Sequence, residues 1–163
     1  MIFRLLLLAA VVTGCALPAR DVYTHNPPLS KNNLSNINGD YEAKAWKFLK
    51  AGTFFRKTNE KQFVRLTCID SSTIKADLMY ENKVFSTTRI RGHVDKDGYF
   101  AAKPRTGLIP IPLFFWFYNR MRSDLILTEN HDLFVFYCGR SYGQVIFAAG
   151  QKGCSNHEFK RLK

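Results

Sequence analysis

The sequence predicts an all-β domain: an up-and-down antiparallel β-barrel of eight or nine strands with one short helix. Apolar and polar residues alternate with a period of two from Asn38 to about Gly150, which is typical of half-buried strands. Turn residues separate the strands, and the connections are short enough for consecutive strands to pair. A meander of this length curls and closes, because closure removes exposed edges. A flattened two-sheet sandwich is the alternative.

The only convincing helical segment runs from Ala43 to Lys50, after a turn and a short strand at 38–42. Ala45, Phe48 and Leu49 fall at positions i, i+3 and i+4, with lysines between them, and Gly52 is expected to end the helix. Such a short helix is not stable alone. We therefore expect it to pack against the sheet or to cover one end of the barrel.

Four strands with clear turns between them are predicted next. On the first of them, Val64, Leu66 and Cys68 share one face. The connecting turns are Asp70-Ser71-Ser72, Glu81-Asn82 and Asp97-Gly98, of which the last is the strongest hairpin signal in the chain. The predicted strands are Lys61 to Ile69, Thr73 to Tyr80, Lys83 to Asp95 and Tyr99 to Lys103.

The most apolar stretch after the leader is Thr106 to Tyr118. Pro110 and Pro112 cannot donate ladder hydrogen bonds, so the first half is predicted to be an edge or a loop and only Leu113 to Tyr118 a strand. Both faces of that strand are apolar, and the second face could be covered by the helix, a partner protein, the bilayer surface or a bound lipid. Three further strands are predicted at Ser123 to Thr128, Leu133 to Cys138 and Gln144 to Ala149, divided by Asn130-His131 and by Gly139 to Gly143.

The N-terminus carries an export signal. One cation, Arg4, precedes an apolar run from Leu5 to Val12 that is far shorter than the roughly 20 residues of a membrane-spanning helix. The run ends in Val12-Thr13-Gly14-Cys15, which resembles the lipobox of bacterial lipoproteins. The resemblance implies cleavage between Gly14 and Cys15 and attachment of fatty acyl chains such as palmitate to Cys15. An ordinary secretory signal, cut after Ala16 or Ala19, is the alternative.

The leader sets the predicted domain organisation: a signal peptide at 1–14, a lipidated tether at 15–34 and one folded domain at 35–163. Proline, asparagine and serine with few large apolar residues are typical of a tether. Ala16 after the cysteine resembles the neutral residue of lipoproteins sent to the outer membrane. We therefore expect a protein held by its lipid at the outer membrane of a bacterial envelope.

The predicted barrel resembles the lipocalin-like barrels found among bacterial outer-membrane lipoproteins. Gly39-Asp40-Tyr41 is a partial counterpart of the family's Gly-x-Trp mark on the first strand, with tyrosine in place of tryptophan. The family's Thr-Asp-Tyr mark is absent. Arg140 corresponds to the family's late-strand arginine by position only. The resemblance implies a fold, and no binding residue is carried over from it.

The charge balance suggests an anionic partner or a solvated surface. The chain has 24 lysines and arginines against 13 acidic residues, a formal net charge of +11. An exported protein of this charge could meet phosphorylated lipid head groups, lipopolysaccharide or an acidic glycan rather than nucleic acid. The cations are scattered, so a surface that only keeps the protein soluble is at least as well supported.

Three cysteines remain after Cys15, and they allow three alternative single bridges. Cys138 and Cys154 are predicted to lie about a strand's length apart, so a bridge between them is disfavoured. Cys68 and Cys138 end strands that run in the same direction and form the best candidate pair. Free thiols are nevertheless the favoured state.

No catalytic motif, metal-binding spacing or cofactor-binding motif is found in the sequence. The histidines lie far apart, and there is no phosphate-binding loop or nucleophile elbow. The first functional hypothesis is a non-catalytic, lipid-anchored barrel that binds a hydrophobic small molecule or lipid. Its candidate ligand-binding residues are Phe115, Phe117, Phe134 and Phe136, although such aromatics also fill the core of a small barrel. The second is an envelope interaction or structural protein that contacts a membrane protein or an anionic surface.

Overall fold

The computed structural model describes residues 28–50, 60–111, 115–145 and 147–162. For residues 107–111, 115–119, 140–145 and 147–152 only the backbone is described. The signal peptide at 1–14, Cys15 and most of the predicted tether lie outside the described residues, as does Gly52.

The described chain forms one antiparallel sheet of ten strands with one short α-helix. This confirms the up-and-down sheet and the helix, with one more strand than the largest number predicted. The strand order is β10-β1-β2-β3-β4-β5-β7-β8-β9, and β6 pairs with β7. No helix in the described part of the chain is long and apolar enough to cross a bilayer. The strands are β1 Gly39–Glu42, β2 Gln62–Asp70, β3 Thr73–Tyr80, β4 Lys83–Val94, β5 Phe100–Ala102, β6 Arg105–Ile111, β7 Phe115–Leu127, β8 Leu133–Val145, β9 Phe147–Phe159 and β10 Arg161–Leu162; two 3-10 turns span Leu34–Ile37 and Ala43–Ala45, and helix α1 spans Trp46–Leu49.

Two tight turns lie where the sequence predicts them. Glu81 and Asn82 both have positive φ, 46° and 63°, which is the backbone of the two-residue hairpin turn that joins β3 to β4. In the next turn Gly98 has a φ of 80°. Across this turn the backbone N–H of Asp95 donates to the carbonyl of Tyr99 at 2.9 Å. Each turn thus fixes the register of the strands on either side.

One face of the sheet forms the main core. The predicted alternation holds on β2, where Val64 and Leu66 are buried and Cys68 is half-buried. Helix α1 packs on this face through Trp46 and Leu49, which are 1% and 2% exposed. The same cluster draws residues from most strands, among them Ile74, Ile90, Phe100, Leu125, Leu133 and Phe159.

The core also extends N-terminal of Ser35. Leu29 and Leu34 are buried in the main core, at 4% and 1% exposed. The backbone N–H of Leu29 donates to the carbonyl of Gly98 at 3.0 Å. Residues 29–34, which composition placed in the tether, therefore belong to the folded domain.

The strands after Lys103 are longer than the sequence predicts. The first half of Thr106 to Tyr118 was predicted to be an edge or a loop. It lies in an edge strand, β6, whose only partner among the described residues is β7. β7 joins the two segments predicted at Leu113 to Tyr118 and Ser123 to Thr128 into one strand. Gly139 to Gly143, predicted to be a turn, lies inside β8, which pairs with β9 as far as Val145 opposite Phe147.

The C-terminal strand lies beside the first one. Only Lys160 separates β9 from β10, and β10 pairs with β1 through Asp40 and Leu162. The Arg161 guanidinium donates to the carbonyl of Asn38, and a Cβ on Gly39 would come within 2.7 Å of Arg161 Nε. Gly39 thus leaves room for the arginine side chain.

Substitution of Gly92 in β4 tests how tightly the core is packed around this position. A Cβ at this position would clash with the Ala101 carbonyl and lie 2.9 Å from the Phe100 ring, whereas a Cβ on Gly153 meets nothing within 4 Å. We expect Gly92→Ala to lower the free energy of unfolding by about 1–3 kcal/mol. Gly153→Ala, the matched control, should change it by less than about 1 kcal/mol. Urea denaturation measures both, and equal effects would contradict the predicted clash.

Candidate functional site

The best-defined candidate site is the interior beside helix α1. Phe48 on the helix stacks on His157 with ring centroids 4.0 Å apart, and it meets Tyr137 edge-on at 5.4 Å. Phe159 lies 5.6 Å from the same ring. The sequence places Phe48 on the apolar face of the helix, but nothing in it indicates that β8 and β9 supply the three partners. The result is an aromatic cluster that fixes the helix to the end of the sheet.

Two strand side chains bind the C-terminal carbonyls of α1. Ser123 donates its hydroxyl to the carbonyl of Phe48 at 2.6 Å, and the Arg105 guanidinium donates to the carbonyl of Leu49 at 2.6 Å. Carbonyls at the end of a helix have no partner within the helix, and a cation there also interacts favourably with the helix dipole. Burial lowers the pKa of Arg105 from its usual value. Arg105 and Ser123 were not predicted as site residues.

The cavity at this position is very small. It lies between Phe48, Leu49, Met121 and Tyr137, with Arg105 at its polar side, and its volume is about 10 Å³. A cavity needs at least about 10–15 Å³ to hold one water molecule, and drug-sized ligands occupy about 300–1,000 Å³. Side chains therefore fill the space beside α1, with room for a water molecule at most.

His157 and Ser155 are the pair closest to a catalytic arrangement. His157 Nε2 lies 2.8 Å from Ser155 Oγ. Burial, and then the nearby Lys47 charge, lower the pKa of His157, so the imidazole is neutral at pH 7. Among the described residues no carboxylate hydrogen-bonds the other ring nitrogen, which a Ser-His-acid triad requires. The described side chains also contain no group of three metal-ligating residues.

The candidate ligand-binding phenylalanines do not share one face of the sheet. Phe134 and Phe136 are buried on the face opposite the main core, where they pack with Tyr99 and Ile126. Phe115 and Phe117 occupy odd positions of β7, which the register places on the other face, and their side chains are not described. A ligand-binding role for these four residues stays a prediction, but the fold does not bring all four into one site.

The cysteine prediction was wrong. Cys138 and Cys154 are directly opposite in β8 and β9, with Cα atoms 4.2 Å apart, and they form a disulfide. The error follows from the predicted turn at 139–143: these residues are paired within the β8–β9 hairpin, so the two cysteines are cross-strand neighbours. Cys68, the predicted partner of Cys138, is a free thiol, and burial raises its pKa.

Comparison of the chain with protein-family models, curated proteins and solved structures gives no match. The fold and the geometry of the described residues therefore carry the functional argument alone. Gly14 and Cys15, the predicted cleavage and lipidation residues, lie outside the described part of the chain.

Substitution of Ser123 tests whether its hydrogen bond to the Phe48 carbonyl holds α1 in place. Ser123→Ala leaves the Phe48 carbonyl without its donor, so we expect a loss of about 1–3 kcal/mol in the free energy of unfolding. Ser71→Ala removes an exposed hydroxyl from the β2–β3 turn and is expected to change stability by less than about 0.5 kcal/mol. Urea denaturation followed by tryptophan fluorescence measures both variants. Equal stability of the two would show that the bond contributes little.

Proposed function

We propose that this protein is a non-catalytic lipoprotein of the bacterial envelope, anchored through lipid on Cys15, whose domain serves as an interaction or structural module. The carrying observation is the filled interior: α1 and the aromatic cluster around Phe48 leave a cavity of about 10 Å³. A carrier of lipids or other hydrophobic molecules needs an empty interior. The packing therefore favours the interaction protein over the ligand-binding barrel.

We also propose that the sheet is a closed, lipocalin-like barrel. Two observations support closure: β10 continues β9 after a single residue, and β10 pairs with β1 at the opposite end of the strand order. The backbone N–H of Glu42 also donates to the carbonyl of Lys160 at 3.1 Å. These contacts bring the two ends of the sheet together.

A late-strand arginine gives further support for the lipocalin-like proposal. Arg161, and not Arg140, lies beside Gly39 and the carbonyl of Asn38. It also lies close enough to Tyr41 for its charge to act on the phenol, although burial dominates and raises the pKa of Tyr41 to about 12. Arg140 lies in β8, opposite Arg120 and Lys152. We therefore propose Arg161, in place of Arg140, as the counterpart of the family's arginine.

The disulfide supports a location outside the cytoplasm. Disulfides such as Cys138–Cys154 persist in oxidising compartments, including the bacterial periplasm and cell surface, and are rare in the reducing cytosol. This agrees with the export signal and the lipobox-like run that ends at Cys15. The compartment proposed for the mature protein is the outer membrane.

Fatty-acid labelling tests the anchor. In a bacterial host fed an alkyne fatty acid, the wild-type protein should become labelled and shortened, because lipid is added to Cys15 and the leader is removed. Cys15→Ser should lose both label and processing. Cys68→Ser, which removes the free thiol of the folded domain, should retain both. Label that survives in Cys15→Ser would contradict the anchor, whereas membrane fractionation alone would not, because an uncut leader can also hold protein at the membrane.

Native mass spectrometry of protein purified from its own membrane tests the role of the domain. We expect a mass equal to that of the mature acylated chain, with no further small molecule that is released on unfolding, because the described interior is filled. A stoichiometric partner protein would support the interaction module. A lipid retained by the folded domain and lost on denaturation would instead support the carrier.

A further inference from the structure

The four strands β6 to β9 are paired along a stretch that we call the distal arm, defined here as residues 105–111, 115–121, 139–145 and 147–153. Their registers align them residue by residue, from Arg105 opposite Met121 to Ile111 opposite Phe115. Neither 105–123 nor 138–154 contains an acidic residue. Five cations lie in these segments: Arg105, Arg120, Arg122, Arg140 and Lys152.

Three of the cations form one cross-strand row. Arg120 is opposite Arg140, and Arg140 is opposite Lys152. Directly opposite residues share a face of the sheet, and like charges in such positions are destabilising. The neighbouring rows on this face hold Tyr118 and Tyr142 on one side and Arg122 with the disulfide on the other, and Arg122 is ion-paired with Asp124 at 2.8 Å. No carboxylate lies in these rows, so an anionic partner would relieve the repulsion within the cation row.

The chemistry changes in order from the cation row to the tip. Two residues beyond the cations come Tyr118 and Tyr142, which are opposite each other. Beyond the tyrosines the paired positions are almost all apolar: Ile109, Phe117, Pro110, Trp116, Ile111, Phe115, Ala148, Ala149, Val145 and Phe147, with Gly143 and Gln144. The arm thus presents cations first, then aromatic residues with a polar end, and then apolar residues. This order matches the change from head groups to hydrocarbon across a membrane interface.

We propose that the distal arm is a second membrane contact. Its apolar end beyond Tyr118 and Tyr142, here called the tip, lies in the interfacial region of a bilayer rich in anionic lipid, and its cation row lies against the phosphate groups. This goes beyond the proposed lipid anchor and does not depend on it. Three cations near an anionic surface attract it with about 1 kcal/mol each. The apolar residues beyond them provide the burial that a purely electrostatic contact lacks.

The open edges of the arm limit how deep it inserts. Among the described residues, β6 pairs only with β7 and the arm part of β9 only with β8, so both outer strands leave backbone groups without a sheet partner. Unsatisfied backbone groups are not tolerated in the hydrocarbon core. Pro110 lacks an N–H and removes one such donor from the β6 edge. The expected depth is therefore the headgroup boundary, about 5–10 Å, as for other interfacial elements.

The lengths agree with this depth. β7 rises by about 3.4 Å per residue, so Phe115 lies roughly 17 Å beyond Arg120 and roughly 10 Å beyond Tyr118. With the tip buried as far as the tyrosine row, the cations remain among the head groups. The tip thus enters one leaflet without crossing the bilayer, whose hydrocarbon core is about 30 Å thick.

Exposed apolar side chains at the same end of the sheet give an independent observation. β5 and β6 both pair with β7 and run in the same direction, toward the tip of the arm. β4 is antiparallel to β5, so the first residues of β4 lie at the same end of the sheet as the tip. There Phe85 is 75% exposed and Val84 57% exposed, next to the exposed Lys83. Phe85 is the most exposed large apolar residue of the described chain. It extends the apolar and basic character of the tip to a second hairpin.

Tryptophan quenching tests insertion directly, because the chain has only two tryptophans and Trp116 is in the arm. The full mature protein is mixed with vesicles of phosphatidylcholine and phosphatidylglycerol, about two to one, whose acyl chains carry bromine. We expect strong quenching and a blue shift in the wild type that are lost in Trp116→Phe, since Trp46 is buried in the core. Subtracting the two spectra isolates Trp116. Trp46→Phe, if it folds, should give the isolated signal directly.

Charge removal tests the cation row. Arg120→Gln, Arg140→Gln and Lys152→Gln together should weaken partitioning into these vesicles by roughly 100-fold or slightly more, as expected from three lost contacts of about 1 kcal/mol each with anionic lipid. The matched control removes three exposed lysines at the opposite end of the sheet, Lys31, Lys96 and Lys160, and should bind like the wild type. Vesicles of phosphatidylcholine alone should abolish the difference between the two triple variants.

The outcomes separate this proposal from the anchor. If bromine does not change the Trp116 emission, membrane insertion of the arm is overturned, even when the protein stays with the vesicles through its lipid. A protein partner is then the remaining occupant of the tip. If the purified mature protein carries no lipid on Cys15, the anchor is refuted. Bromine quenching of Trp116 in that same protein would still support the arm. Equal weakening by both triple variants would reduce the effect to net charge and overturn the role of the row.

Discussion

The packing of helix α1 on the apolar face of the sheet is the constraint on which the rest of the structure depends. Trp46 and Leu49 bury themselves among residues of nearly every strand, and Ser123 and Arg105 bind the carbonyls at the helix end. A four-residue helix has no stability of its own. It persists because distant strands supply both its apolar surroundings and its missing hydrogen bonds. The same packing leaves a cavity of only about 10 Å³ beside the helix, which is far smaller than the volume of a drug-sized ligand.

The sequence predicts the strands well wherever side chains alternate and a turn has its usual chemistry. Glu81, Asn82 and Gly98 adopt positive φ values in the two predicted turns, and strands β2 to β5 end within one residue of their predicted ends. These features are local, so a single sequence contains them. The same holds for the apolar face of β2.

The predictions fail where glycine and proline do not have their usual role. Gly139 to Gly143 contains two glycines and a serine, which favour a turn, yet Gly139 is opposite Gly153 inside the β8–β9 hairpin. β8 and β9 stay paired as far as Val145 and Phe147, within an apolar run that has no turn residue. Strand pairing over thirteen residues outweighs the local preference, and it brings Cys138 and Cys154 together. The partners of α1 are likewise set by tertiary contacts between residues more than 50 positions apart, such as Arg105 and Leu49.

The proposed anchor and the proposed arm constrain how the domain is oriented. Leu29 bonds to Gly98 at the end of the sheet opposite the arm tip, so the tether from Cys15 enters at the far end. Its fourteen residues reach at most about 50 Å and, as a relaxed chain, only about 20 Å. β8 alone is roughly 40 Å long. An upright domain with both contacts on one bilayer would need a nearly extended tether. A domain that leans onto the membrane meets both contacts with a relaxed tether, and the apolar character of both faces of the tip allows insertion at such a tilt.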